Sequence, residues 1–269
     1  MSKPKTKEDI IIHKNKSINN FSSFLDTMIE TPSDLKRADL ISYWLKDFQY
    51  YISQEKTFNA SKIKSYKRGD VIKVNLGFNV GSEQGGLRYA IVLDKNNKHN
   101  SKTITIVPLT SQKEEKAIYE RDIDLGRELY NRLKAKYDSF VDELSKERSD
   151  RNESMKRANA ILTTLLDISR DTQEDAGSFK QLILQAQELI DAQSEALSLL
   201  QEKENDLKKI KLELHRMKDG SIAKIEQITT ISKQRIFDPR KSADVLAGIR
   251  FSDTAMNKIN EKIKELYIF

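Results

Sequence analysis

Residues 66–112 read YKRGDVIKVNLGFNVGSEQGGLRYAIVLDKNNKHNSKTITIVPLTSQ, and this run decides the fold. From Asp70 to Leu76 the side chains alternate, Ile72, Val74 and Leu76 on one face and Val71, Lys73 and Asn75 on the other, which is the period of a half-buried strand. Gly81, Gly85 and Gly86 follow. Glycine admits positive φ and close backbone approach, so exposed amides in this loop can face a phosphate. No Gly-Lys-Ser/Thr comes after them, which excludes a nucleotide-binding P-loop. Ala90 to Leu93 is continuously apolar and reads as a central strand. Asn96 and Asn97 open a polar loop, and the β-branched run Thr103 to Leu109 supplies a strand to pair with it. Arg88 therefore stands at the start of one strand and Thr110 at the end of another. In an antiparallel pair those two ends can be neighbours.

The order strand, GSEQGGLR loop, apolar strand, polar loop, strand, LTSQ resembles the MazF/PemK family of toxin endoribonucleases from type II toxin-antitoxin systems. The resemblance implies a small SH3-like, MazF-type β-barrel. It also implies metal-independent, sequence-selective cleavage of single-stranded RNA, with Arg88 and Thr110 as the catalytic pair. The chemistry suits those residues. RNA is cut when its own 2′-hydroxyl attacks the adjacent phosphorus, provided charge on the phosphate is stabilised and protons move at both oxygens. Arginine presents a fixed fork of donors to phosphate oxygens, and a threonine hydroxyl adds one more hydrogen bond. Products with a 2′,3′-cyclic phosphate and a 5′-hydroxyl are implied. Gly81, Ser82, Glu83, Gln84, Gly85, Gly86, Ser111 and Gln112 would line the RNA, and Glu226 and Gln227 would read its bases. The family further implies a homodimer and a small antitoxin protein as partner. One residue departs from the pattern: the proline that commonly follows the loop arginine is Tyr89 here. Read without the motif, Arg88 is a surface arginine and Thr110 the end of a strand. The alternative functions are a non-catalytic barrel that binds RNA or antitoxin and a topoisomerase-inhibiting toxin on a CcdB-like barrel, against which the Arg88 and Thr110 pair argues.

Composition is compatible with an RNA partner. Lys and Arg outnumber Asp and Glu by 47 to 41, a formal +6, with a pI near 9.1, which favours salt-dependent binding to phosphate chains. There is no cysteine, so disulfides, thiolate nucleophiles and cysteine zinc sites are excluded. The three histidines, His13, His99 and His215, lie far apart. A two-histidine ribonuclease or a histidine metal cluster is not expected, and no cofactor is. His99 reads as a solvated loop residue or an RNA contact. No apolar run approaches the ~18 residues of a membrane span, and Ile10 to Ile12 is too short for a signal-peptide core. A cytoplasmic location is expected.

After Gln112, Ile118 to Leu125 (IYERDIDL) fits a further strand, with Tyr119, Arg121 and Ile123 on one side and Glu120, Asp122 and Asp124 on the other. From about Arg127 to Lys218 the pattern becomes helical, with no proline and Gly177 the only glycine. Asp219 and Gly220 then signal a turn, and SIAKIEQITTISKQRIFDP resembles the later strands of the same toxin fold. The barrel is thus read as split by a long antiparallel helical coiled-coil hairpin. Seam residues at alternating spacings of three and four run from Tyr130 through Leu144, Arg151, Ser154 and Ala158 to Ile168. A second series runs from Phe179 through Gln193, Ala196 and Lys203 to Met217. Folding the legs about Ser169 to Ser178 pairs Ile168 with Phe179, Leu165 with Leu182, Ser154 with Gln193, Arg151 with Ala196, Leu144 with Lys203 and Tyr130 with Met217. Such an arm is a passive spike, an RNA-steering surface, a dimer contact or a docking arm.

The expected class is α+β, divided into an N-terminal helical extension (1–65), a first barrel part (66–126), the inserted hairpin (127–218) and a second barrel part with a C-terminal helix (219–269). In the extension, the first ~16 residues read as disordered and Asn19 to Ile29 as a short helix. Thr31-Pro32-Ser33-Asp34 starts another helix, with Leu35, Ala38, Ile41, Leu45, Phe48 and Ile52 on an apolar face widened by Trp44 and Tyr51. At the other end Ser252 precedes a face of Ala255, Met256, Ile259, Ile263 and Leu266, an amphipathic helix expected to pack on the barrel.

Overall fold

A computed structural model describes residues 5–112, 117–168, 176–218 and 220–268. In chain order the elements are α1 (Lys7–Ile29), α2 (Leu35–Gln54), β1 (Val71–Asn75), β2 (Leu87–Val92), β3 (Thr103–Ser111) and β4 (Asp122–Asp124). They continue with α3 (Glu128–Ile168), α4 (Ala176–Arg216), β5 (Ser221–Lys224), β6 (Thr229–Ser232), β7 (Ile236–Asp238) and α5 (Asp253–Tyr267). The class is α+β, with a seven-stranded sheet whose neighbours run antiparallel in the order β4-β5-β3-β2-β1-β7. Strand β6 pairs with β3 off that path. The nine residues of β3 give its one edge room for two partners. Leu109 to Ser111 pair with β5 and Thr103 to Ile106 with β6, on either side of a 3-10 turn at Ile225–Gln227. The path ends at β4 and β7, so the sheet is open.

Alternation in β1 does what its sequence requires on one side: Ile72, Val74 and Leu76 are buried with Ala90, Ile106 and Ile236. That cluster also takes Ile231 from β6, so β6 and β7, at the two ends of the ladder β6-β3-β2-β1-β7, share one core. The other face of β1 is not open to water. Val71 enters a second core with Ile91, Val107, Leu129, Ile210 and Ile259, Lys73 is ion-paired with Glu213 of α4 at 2.5 Å, and the Asn75 amide donates to the Asp47 carboxylate of α2 at 2.8 Å. Strand polarity alone thus misses the covering supplied by distant helices.

Helices α3 and α4 pack along their length, each with 41 residues, or about 60 Å at the α-helical rise. Their buried side chains, among them Leu133, Leu144, Ala158, Ala186, Leu200 and Ile210, fall at the positions of the expected seam. Ion pairs across the contact join Arg148 to Glu204 at 2.6 Å and Lys203 to Glu143 at 2.9 Å and to Glu147, while Leu129 and Leu133 share a core with Ile210 and Met217; the two levels together require the legs to run antiparallel. At the polar rung Lys203 resolves its mismatch with Leu144 by turning its ammonium to those two carboxylates. The side chains of Ile168, Phe179, Leu182 and Gln193, residues 169–175, about which the legs were expected to fold, and Asp219 lie outside the described residues, and so do the rungs that need them.

Several local expectations give way. Helix α1 begins at Lys7, within the stretch expected to be disordered, because Thr6 and Asp9 form a reciprocal capping box. The same helix runs through to Ile29 instead of starting at Asn19. On α2, Ala38 and Ile41 are buried while Leu35, Leu45, Phe48 and Ile52 stay exposed, since α1 and the loop residue Phe78 cover only one stripe. Strand β4 is confined to Asp122–Asp124. Asp122, expected on an acidic outer side, is buried and bound to Lys224 at 2.7 Å. His99 is exposed in its loop, as expected, and its Nε2 also lies 2.8 Å from the Ile63 carbonyl. The C-terminal expectation holds: the Ser252 hydroxyl caps α5 by accepting from the Ala255 amide, and Ala255, Met256 and Ile259 are buried. Among the described residues no helix is long and apolar enough to cross a membrane.

Candidate active site

Arg88 owes its place to the pairing of β1 with β2, where it sits opposite Val74. On its other side, β2 and β3 pair Ala90 with Pro108. That pairing ends there, and Arg88 and Thr110, each two residues beyond it on its own strand, come to the same end of the ladder. Thr110 is held from behind by β5, opposite Ile222. Arg88 and Thr110 line one cavity of about 110 Å³ with Ser111, Lys218 and Gly220. The Arg88 side chain is half-buried, and its Nε donates to the Gly85 carbonyl at 2.9 Å. That bond fixes the plane of the guanidinium from its near edge. Among the described residues its terminal nitrogens make no hydrogen bond or ion pair, so two parallel donors remain for an anion. Lys218 adds a second cation at the rim. Adjacency to the turn before β5 was its only sequence signal.

The glycine loop is tied at its base. The Gly86 amide donates to the Gly77 carbonyl at 2.7 Å, the Leu76 amide to the Gly86 carbonyl at 2.9 Å, and the Asn79 amide to the Gln84 carbonyl at 2.7 Å. At Gly85 a Cβ would stand 2.9 Å from the Gly77 carbonyl oxygen, and at Gly77, where φ is +77°, it would meet the Trp44 indole at 2.6 Å. The first contact keeps the two limbs of the loop together. The second shows that α2 lies directly on the loop.

The other expected RNA-contacting residues fall into separate surroundings. Glu83, Gln84, Glu226 and Gln227 share a groove of about 490 Å³, in which the Gln84 amide donates to the Gln227 side-chain oxygen at 3.2 Å. Gly81, Glu83, Gly85 and Gly86 face a cavity of about 1060 Å³ that Arg88 also lines. Ser111 joins the Arg88 and Thr110 cavity. Ser82 lies on the exposed turn of the loop. The Gln112 amide donates to the Gly220 carbonyl at 3.0 Å, and its side chain lies against Gly220 where a Cβ would meet it at 2.6 Å. It serves the β3 to β5 connection.

Tyr89, the residue in place of the usual proline, points to the opposite face from Arg88. Its hydroxyl donates to Glu213 Oε1, the same oxygen that takes the Lys73 ammonium at 2.5 Å. Burial, and then the Glu213 carboxylate, push the phenol well above its ordinary pKa. A proline there could not make this link, so the helical arm and the tyrosine belong together. Sequence reading missed it because Tyr89 and Glu213 lie 124 residues apart. Glu213→Ala strands Lys73 in a mostly buried position, and we expect it to cost about 2–3 kcal/mol in urea unfolding. An unchanged midpoint would show that the network contributes nothing.

Residues 67–149 match the family described as PemK-like, MazF-like toxin of type II toxin-antitoxin system. The match takes in β1 to β4 and the first half of α3, with Arg88 and Thr110 inside it; β5 to β7 and α5 lie beyond it. No curated protein matches the chain.

Proposed function

We propose that this chain, whose residues 67–149 are a segment of the PemK-like, MazF-like toxin family, is the endoribonuclease toxin of a type II toxin-antitoxin pair. The observation that carries the reading is the single cavity that Arg88 and Thr110 line together. In the reaction, the RNA 2′-oxygen forms a bond to phosphorus while the bond from phosphorus to the 5′-oxygen breaks. The 2′-hydroxyl loses its proton and the departing 5′-oxygen gains one. Arg88 meets the charge that grows on the non-bridging oxygens, and the Thr110 hydroxyl adds a hydrogen bond to the same phosphate. Glu83, Gln84, Glu226 and Gln227 border the groove where bases would be read. Single-stranded RNA is the substrate class.

On this reading the open sheet is the wall of an SH3-like barrel around the core shared by β1, β2, β3, β6 and β7. Residues 66–126 and 219–269 form the two barrel parts, 127–218 the inserted coiled-coil hairpin, and 1–65 the N-terminal extension. A small antitoxin protein and a homodimer follow from the family in the same way. The competing reading is a barrel that binds RNA or antitoxin without cutting.

Cleavage of total RNA separates the two. Because the nucleophile comes from the RNA itself, activity is expected to persist in excess EDTA and to leave 5′-hydroxyl ends. It should fall as salt rises, since each phosphate contact displaces counterions. Products with 5′-phosphates, or a strict need for magnesium, would contradict 2′-hydroxyl attack, and no cleavage at all would favour the binding reading.

A further inference from the structure

A large cavity lies between α2 and the glycine loop, and the reaction as described uses none of its α2 or β7 wall. Its volume is about 1060 Å³. Three of its aromatic rings are left largely in water: Tyr43 and Tyr50 of α2 and Phe237 of β7 are 62%, 61% and 66% exposed. None of the three belongs to a buried core. Guanidinium groups stand among them, with Arg37 seated over the Phe78 ring at 5.6 Å and Arg88 and Arg240 at two other edges. Carboxylates of Asp47 and Glu83 also line it, but Asp47 is engaged by the Asn75 amide at 2.8 Å. Beyond Tyr50 the surface continues into a second hollow of about 530 Å³ that shares Phe237 and Arg240 and adds Lys62 and Lys241. Its acidic member, Asp244, accepts the Arg240 and Lys241 backbone amides at 2.6 and 2.7 Å.

We infer that this groove, built by the N-terminal extension, holds single-stranded RNA nucleotides that flank the scissile phosphate. Tyr43, Tyr50 and Phe237 stack the bases, and Arg37 and Arg240 meet the backbone. The inference rests on the endoribonuclease reading and adds a binding surface to it. Three features select RNA as the occupant. The groove is continuous with the reaction site through Arg88, which borders both cavities. Its cations outnumber its carboxylates. Its exposed rings offer flat faces, and every base has a matching π-face whatever the sequence. The extension thus supplies affinity near the cut while the narrower groove at Gln84 and Gln227 is left to discriminate.

The test uses the full chain, its only tryptophan, Trp44, which lines the groove, and a short 2′-O-methyl RNA that cannot be cut because its nucleophile is blocked. Binding is expected to quench Trp44 emission. The triple variant Tyr43→Ala, Tyr50→Ala, Phe237→Ala should bind this RNA about 100-fold more weakly, at roughly tenfold or less per ring. It should also lose kcat/KM on cleavable RNA through KM, with kcat retained. Tyr43→Phe with Tyr50→Phe should keep wild-type affinity, since the ring and not the hydroxyl is used. Unchanged emission together with wild-type binding and cleavage by the triple variant would overturn the proposal and give the groove to a protein partner instead. If the wild-type chain cuts no RNA, the endoribonuclease reading falls, whereas quenching of Trp44 by the 2′-O-methyl RNA still decides the groove by itself.

Discussion

Arg88→Ala is expected to reduce cleavage of single-stranded RNA by about 10²–10³-fold or more in kcat, the usual effect of deleting one preorganised donor to a developing oxyanion. Folding should be nearly unaffected. The guanidinium makes one bond to the Gly85 carbonyl and belongs to no buried core, so the loss in stability should stay within about 1 kcal/mol. Arg88→Lys keeps the charge but loses the fork and should remain strongly impaired. Thr110→Ala removes one neutral hydrogen bond, and a smaller loss, about tenfold to a hundredfold, is expected. The comparison uses single-turnover cleavage beside a urea melt of each variant. Full activity in a folded Arg88→Ala protein would overturn the assignment and favour the binding-module reading.

Replacing residues 128–218 with a short Gly/Ser linker is expected to unfold the protein, whereas replacing only 149–202 should leave it folded. The reason lies at the root of the arm. Leu129 and Leu133 of α3, Ile210 of α4 and the following Met217 are buried in the same core as Val71, Ile91 and Ile259. Glu128 accepts both the Ser252 amide and its hydroxyl, at 2.6 and 3.0 Å, at the start of α5. The Lys136 ammonium donates to the carbonyls of Asp244, Val245 and Ala247 at 3.2, 2.8 and 2.9 Å. Losing a buried leucine-sized side chain costs about 2–5 kcal/mol, so four of them together match or exceed the ~5–15 kcal/mol by which a domain is stable. The shorter replacement keeps this root and the ion pairs of Lys203 and Glu204 above it. Its closure costs only a modest loop entropy. Circular dichroism and the cooperativity of urea unfolding read both variants. A cooperative fold after the longer replacement, or none after the shorter, would reverse the argument.

How much of this was legible in the chain depends on how far apart the partners sit. Ile72, Val74 and Leu76 announced their shared face by alternation, because that signal repeats every second residue. The helical period of α3 and α4 was equally legible, and so was the Ser252 cap of α5. The capping box of α1 was also present in Thr6 and Asp9 but was outweighed by the basic composition around it. By contrast, the burial of Asp122 depends on Lys224, 102 residues away. Lys233 was read only within the run SIAKIEQITTISKQRIFDP, yet it is fully buried over the Tyr66 ring at 5.7 Å, with its ammonium near the Lys98 carbonyl at 3.2 Å. No local pattern encodes either burial.

The sequence by itself determined the strand and loop order around Arg88 and Thr110, the two residue types suited to a phosphate, and the helical period between about Arg127 and Lys218. Each of these is written within a few turns or strands of chain, where steric period and turn chemistry act directly. Tertiary structure alone decided that Arg88 and Thr110 share a cavity with Lys218, that Tyr89 is tied to Glu213 in the arm, and that α2 lies over the glycine loop with half of its apolar face still in water. Those outcomes depend on which distant surfaces come to cover one another. That choice is made by the burial of the whole chain, and no short segment carries it.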